Sequence, residues 1–178
     1  LQTVEDLQKV GNANPDFNLG FRNNLSWKGF NLGFLLTARI GGEVMSATQA
    51  ILDKYGVSEA SAIARDNGGV TVNFGKLDPQ YFYEYIGGGD TGMLSNYVYS
   101  ATNVRLQELT LGYNLPKKWF NDKLNMTVSL IGRNLWMIYS KAPFDPESIA
   151  FTGTYFQGLD YFMQPSLRNV GFSVRMQF

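Results

Sequence analysis

Apolar and polar residues alternate with a period of two along five segments, the signature of strands whose two faces meet different surroundings. The last segment is the clearest. Val170, Phe172, Val174, Met176 and Phe178 fall on one side, and Asn169, Gly171, Ser173, Arg175 and Gln177 on the other. Near the start, Phe17, Leu19, Phe21, Leu25 and Trp27 share a face that only Asn23 interrupts, with Asn18, Gly20, Arg22, Asn24 and Ser26 opposite. After a short turn at Trp27-Lys28-Gly29, Phe30, Leu32, Phe34, Leu36, Ala38 and Ile40 alternate with Asn31, Gly33, Leu35, Thr37 and Arg39. The pattern predicts strands over about 16–27, 30–40, 99–115, 124–139 and 166–178. In the third, the apolar parity changes between Leu106 and Leu109, which predicts a bulge or an exit from an apolar band.

These strands are long. A soluble strand averages ~5–6 residues, whereas ~9–11 residues cross a bilayer core at a steep tilt. The connections 27–29 and 116–123 are short, while 41–98 and 140–165 are long. Short turns at one end and long loops at the other are the pattern of a transmembrane barrel. The expected fold is therefore all-β: an antiparallel transmembrane β-barrel segment of about five strands with a long, partly helical outer loop. With the short turns on the periplasmic side, strand parity directs the chain end at Phe178 to the periplasm. Trp27, Phe30, Trp119, Phe120 and Phe178 then fall at the periplasmic rim, and Trp136, Tyr139, Tyr97 and Tyr99 near the outer rim, as aromatic girdles do. Within the long loop, spacing predicts a helix over Met45–Tyr55 closed by Gly56. A second runs from a Ser58 cap to about Arg65 and ends at Asn67-Gly68-Gly69.

Composition narrows the chemistry. Aromatic residues make up 15% and charged residues 17% of the 178, the latter below a typical ~25%. The formal net charge is zero, so the basic face a nucleic acid needs is missing. Cysteine and histidine are both absent, which removes disulfides, thiolate chemistry and Cys/His metal sites. No cofactor is expected. The chain starts at Leu1, and five strands are too few to close around lipid, where the smallest bacterial single-chain barrels use about eight. An open edge in hydrocarbon leaves backbone groups unpaired. The expectation is a piece of a longer barrel whose first and last strands pair with polypeptide outside residues 1–178.

Several residues invite a chemical role. Asp145 and Glu147 have the makings of paired carboxylates or a Ca²⁺ site, but Asp145-Pro146-Glu147 reads better as an outer turn. Gly87-Gly88-Gly89 lacks the lysine and strand-to-helix setting of a phosphate loop and reads as a flexible loop tip. No Ser, His or Cys constellation for catalysis is present, so the chain is not expected to be an enzyme. Tyr81, Phe82, Tyr83 and Tyr85 form an aromatic cluster. Such rings stack on sugars or pack on a lid protein, or they pack on one another; Tyr81, Tyr83 and Tyr85 are the candidate substrate or lid contacts. Arg22, Arg39, Arg133 and Arg175 lie on the predicted lumen face, either along the substrate path or paired with lumen carboxylates or a plug.

By the third strand the sequence resembles a family. Tyr97–Pro116, YVYSATNVRLQELTLGYNLP, is similar to the C-terminal barrel of SusC/RagA-like TonB-dependent outer-membrane transporters. So are Gly11–Phe17 (GNANPDF), Gly56–Ala62 (GVSEASA) with Ala64–Val70 (ARDNGGV), Gly132–Leu135 (GRNL) and Asp145–Glu147 (DPE). Together these stretches cover nearly the whole chain. The terminal strand ending in Phe178 resembles a barrel-assembly signal. The resemblance implies a barrel of about 22 strands with an N-terminal plug, a SusD-like surface lipoprotein as lid, energy from the TonB complex acting through the missing N-terminal part, and a dimeric transporter–lipoprotein assembly. It implies import of glycans or oligopeptides, and the aromatic loop tilts this toward glycans. The alternative is a passive porin or structural barrel without a plug.

Overall fold

The computed structural model describes residues 9–88, 93–120, 124–150, 153 and 157–177. In chain order its elements are β1 (Phe17–Trp27), β2 (Phe30–Ile40), β3 (Glu43–Ser46), α1 (Ala47–Lys54), α2 (Glu59–Asp66), β4 (Val70–Val72), β5 (Gly75–Leu77), α3 (Pro79–Ile86), β6 (Val98–Ser100), β7 (Asn103–Asn114), β8 (Asn125–Ser140), β9 (Leu159–Asp160) and β10 (Asn169–Gln177). They form two units. A sheet unit holds Pro15–Gly41, Ala101–Glu147 and Pro165–Phe178; a loop unit holds Leu1–Asn14, Gly42–Ser100 and Ser148–Gln164. Among the described residues no helix is long and apolar enough to cross a membrane.

The sheet unit is an antiparallel meander in the order β1-β2-β7-β8-β10. Its register carries each strand's alternation into continuous rows. Leu25 faces Leu32, which faces Leu111, then Leu130, then Phe172. A second row runs Trp27, Phe30, Tyr113, Val128 and Val174. Leu25, Leu111, Leu130 and Phe172 are all more than half exposed, so nothing in the described chain covers this face. Contiguous apolar surface on that scale needs an apolar cover. The opposite face carries Arg22, Asn24, Ser26, Asn31, Glu108, Thr110, Ser129 and Arg133. In the β1–β2 turn, Lys28 and Gly29 have φ of 46° and 89°. Two positive φ values make a two-residue hairpin whose twist suits its strands, and glycine at the second place keeps it inexpensive. Asn114 N–H donates to Gly29 O at 2.8 Å, tying this turn to β7.

The parity change in β7 is a bulge. Leu35 pairs with Glu108 and Leu36 with Leu106, leaving Gln107 as the extra residue. Against β8 the register shifts again: Leu106 faces Trp136 while Glu108 faces Arg133. Nearby, Val104 faces Tyr139 and Arg105 faces Met137. Asn134, inside the irregularity, takes φ 51°. The strand also starts later than the alternation suggests, at Asn103 rather than near Tyr99, because Val98–Ser100 pairs with β3 in a separate sheet.

The loop unit contains that small sheet, ordered β6-β3-β9, the β4–β5 hairpin and three short helices. Helix α1 starts at Ala47, after the expected Met45, because Ser46 caps it. Ser46 Oγ accepts from Gln49 N–H and donates to Asp160 at 2.7 Å, a buried link from β3 to β9. Val57 N–H returns to Leu52 O past Gly56 and closes the helix. Ser58 caps α2 by accepting from Ser61 N–H. Helix α3 occupies a stretch where alternation and spacing predict a loop; Asp78 caps it and Pro79 opens it. Ala50, Ile86 and Tyr97 form the core, with Phe82, Tyr83, Tyr85 and Tyr99 packed against it. Two expectations are corrected here. Tyr97 is only 2% exposed, so it anchors this core and not a rim. Gly87 is buried rather than a flexible tip: a Cβ there would lie 2.5 Å from Ala50 O, so its bare Cα lets α3 end against α1. Gly89 lies outside the described residues.

Candidate functional site

The most developed polar site sits at the bulge. Arg105, on the polar face of β7, is 2% exposed. Its Nη2 donates to Asp145 Oδ1 at 2.8 Å and stands 3.4 Å from Glu147 Oε2. Its Nη1 reaches Asn134 Oδ1 and its Nε reaches Asn103 Oδ1, each at 3.3 Å. Asn134 Nδ2 in turn donates to Ser166 O at 2.9 Å, and Ser166 N–H donates to Asp145 Oδ2 at 3.0 Å. The ring of bonds closes on itself. It holds both limbs of the β8–β10 connection, 145–147 and 166–167, against the irregular stretch of β7 and β8. Burial pushes the Asp145 carboxyl up, but hydrogen bonds from Ser166, Arg105 and the Glu147 N–H outweigh it and hold its pKa down at about 2. Both acids serve Arg105 as a clamp, and the turn they shape is fixed by charge as well as by Pro146.

A second feature lies on the same face. Arg22 Nη2 stands 3.6 Å and Arg133 Nε 3.8 Å from the two oxygens of Glu108. The two arginine side chains are 57% and 67% exposed, so this is a loose shared pairing. Beside it opens a cleft of about 340 Å³ lined by the polar residues Ser26, Asn31, Thr110 and Ser129 and by Leu25, Leu32 and Phe34.

In the loop unit, α3 carries the aromatic cluster. Tyr83 and Tyr85 turn toward the core and are half-buried, whereas Tyr81 is exposed and its ring stacks on Tyr85 at 6.4 Å. Tyr83 lines a cleft of about 340 Å³ with Asp53, Tyr55, Arg65, Gln80 and Glu84. Burial, then the nearby Asp53 carboxylate, pushes the Tyr83 and Tyr97 hydroxyls up.

No family model matches the chain. TonB-dependent receptor P3 of Formosa agariphila is 28% identical to it across 183 aligned positions, covering 99% of this chain and 18% of the receptor. TonB-dependent receptor P26 of the same organism is 27% identical, again over 99% of this chain and 18% of the receptor. Among solved structures, the RagAB peptide importer in its open-open state superposes with a TM-score of 0.62 at 21% identity, over 92% of this chain and 17% of that one. In sequence the chain is similar to TonB-dependent receptors, and in fold to the RagAB importer. It spans less than a fifth of the length of the receptors it matches.

On the five-stranded sheet the open apolar rows form one face and the charged and polar side chains form the other. Of the lumen-face arginines expected from alternation, Arg22 and Arg133 meet at Glu108, while Arg39 is half-buried and Arg175 exposed. Alternation missed Arg105 as a site residue although it stands at a polar position. Its partners Asp145 and Asn134 lie 40 and 29 residues away, which no local pattern reveals. Phe178, the candidate assembly signal, lies outside the described residues.

Proposed function

We propose that the chain is part of the wall and outer loops of a TonB-dependent transporter that imports glycans or oligopeptides across the outer membrane, with a SusD-like lipoprotein as its lid. The observation that carries this is the two-faced sheet, apolar and uncovered on one side and charged on the other, in a chain similar to TonB-dependent receptors along nearly its whole length. In this reading β1 and β10 pair with further strands of a larger barrel, since an open edge in hydrocarbon is costly. The short turns and the terminal Phe178 face the periplasm, where that residue serves barrel assembly. The long connections face outward. Of the three candidate tyrosines, Tyr81 offers its ring to lid or substrate, because Tyr83 and Tyr85 are engaged in the loop core. A plug and a TonB-contacting segment belong to the rest of the protein, and no reaction is catalysed.

Deletion of the gene in its host tests the proposal. Uptake of an oligosaccharide or an oligopeptide should fall to the level of a TonB-deficient strain, and the affinity-purified transporter should carry a surface lipoprotein. Solute flux that continues at full rate without TonB would assign the barrel to passive porins instead.

A further inference from the structure

Charge is unevenly distributed on the five-stranded sheet. Its strands carry Arg22, Arg39, Arg105, Arg133 and Arg175, no lysine, and a single acid, Glu108. The register places all of them on the polar face. Asp145 and Glu147 neutralise the buried Arg105. Glu108 is left between two arginines, with both distances beyond hydrogen-bonding reach. One carboxylate between two guanidiniums leaves a net positive charge, and exposed pairs of this kind hold their partners weakly. Arg22 and Arg133 are thus placed for an external anion.

The surface beside them has a matching chemistry. The cleft next to Arg22 and Glu108 is lined by Asn24, Ser26, Asn31, Thr110, Thr127 and Ser129, with Leu25, Leu32 and Phe34 contributing apolar surface. Its depth depends on bare backbone: a Cβ on Gly33 would stand 2.8 Å from Asn24 Oδ1, and one on Gly112 2.9 Å from Ser129 Oγ. The backbone groups beneath are engaged in the sheet ladder, so a peptide cannot add here as a further strand. Recognition falls to side-chain hydroxyls and amides, which complement sugar hydroxyls, and to planar guanidiniums, which complement a carboxylate. We propose that this patch binds an acidic oligosaccharide of the uronate type. Its hydroxyls lie against the Asn/Ser/Thr lining and its carboxylate is shared by Arg22 and Arg133 in competition with Glu108. The inference rests on the importer reading only in taking this face to border the solute path.

Calorimetric titration of the intact transporter–lipoprotein complex tests it, with oligogalacturonate, neutral maltohexaose and hexaglutamate as probes. Oligogalacturonate should bind best. The double variant R22Q/R133Q should weaken it about tenfold, the scale of a lost charge-assisted contact, and leave maltohexaose unchanged. E108Q should act in the opposite direction and tighten oligogalacturonate severalfold at low salt, an effect that shrinks as salt screens it. A misfolded variant cannot mimic that gain. Equal binding of acidic and neutral sugars, or indifference to both changes, overturns the inference; hexaglutamate binding with the same arginine dependence overturns the carbohydrate assignment. Uptake measured in parallel separates the two readings. Arginine-dependent binding without TonB-dependent uptake defeats the importer and leaves this site standing, and TonB-dependent uptake with arginine-independent binding does the reverse.

Discussion

Replacing Arg105 with Met should free the base of the β8–β10 connection. The substitution keeps much of the side-chain volume but removes every donor that Asp145, Glu147, Asn134 and Asn103 share. Losing one member of a buried ion pair costs about 3–5 kcal/mol. Asp145 keeps the N–H groups of Ser166 and Glu147, and Glu147 is 40% exposed, so the lower end, about 3 kcal/mol, is expected. At ~1.4 kcal/mol per factor of ten this raises the open population of the connection about a hundredfold. Lys141 and Arg168 are exposed and flank the clamp, so trypsin nicking of the intact protein at these two sites reads that population directly. The double variant R105M/D145N, which removes both charges, should recover most of the protection. Nicking of R105M at the wild-type rate, or a double variant as labile as the single, would refute the reasoning. The pH dependence has a definite sign. The Asp145 pKa is depressed from 3.8 to about 2, so its contribution of roughly 2 kcal/mol is complete above the unfolded value and disappears as pH falls toward 2. Thermal stability of the wild type should therefore lose this component only below about pH 4, and D145N should lack it.

Three further outcomes follow from the same geometry. F172R should cost about 2–4 kcal/mol of folding stability in lipid vesicles, whereas S173R on the opposite face should cost little; equal costs would sink the assignment of faces. G87A should destabilise the loop unit by about 1–3 kcal/mol through the Ala50 carbonyl, read as increased hydrogen exchange in α1 and α3, and unchanged exchange there would count against the close approach. Y81A should leave that exchange unchanged, because Tyr81 is exposed, yet reduce co-purification of the lipoprotein or substrate uptake; if both persist at wild-type levels, Tyr81 is not a contact.

The sheet was largely legible in the chain because period-two alternation is a property of the backbone itself. Even the bulge at Gln107 was visible as a break in parity. The loop unit was legible only where its signals are local. Ser58 and Gly56 announce helix ends, but the Asp78-Pro79 start of α3 was obscured by an aromatic run that looked like a binding cluster. The pairing of Glu43 with Ser100 was not readable, since strands of three or four residues leave no periodicity and their partners are distant. Tyr97 reads as a rim residue for a related reason: a ring beside a predicted strand end looks the same whether it meets lipid headgroups or the buried face of a helix. The Arg105 clamp needed tertiary structure altogether.

The bulge and the two charged features depend on one another. Arg105 and Glu108 are three residues apart, an odd spacing that would put them on opposite faces of a regular strand. Gln107 absorbs one residue, so Leu106 and Leu109 both join the apolar rows while Arg105 and Glu108 both point to the polar side. A regular ladder would turn one of the two charges into the apolar face, where an unpaired charge costs several kcal/mol, and would set an apolar side chain in its place. The irregularity is thus what allows one strand to supply a buried cation to the connection through Asp145 and, one turn of the pleat later, an exposed carboxylate between Arg22 and Arg133. The fixed loop base and the polar patch open to ligand arise from the same extra residue.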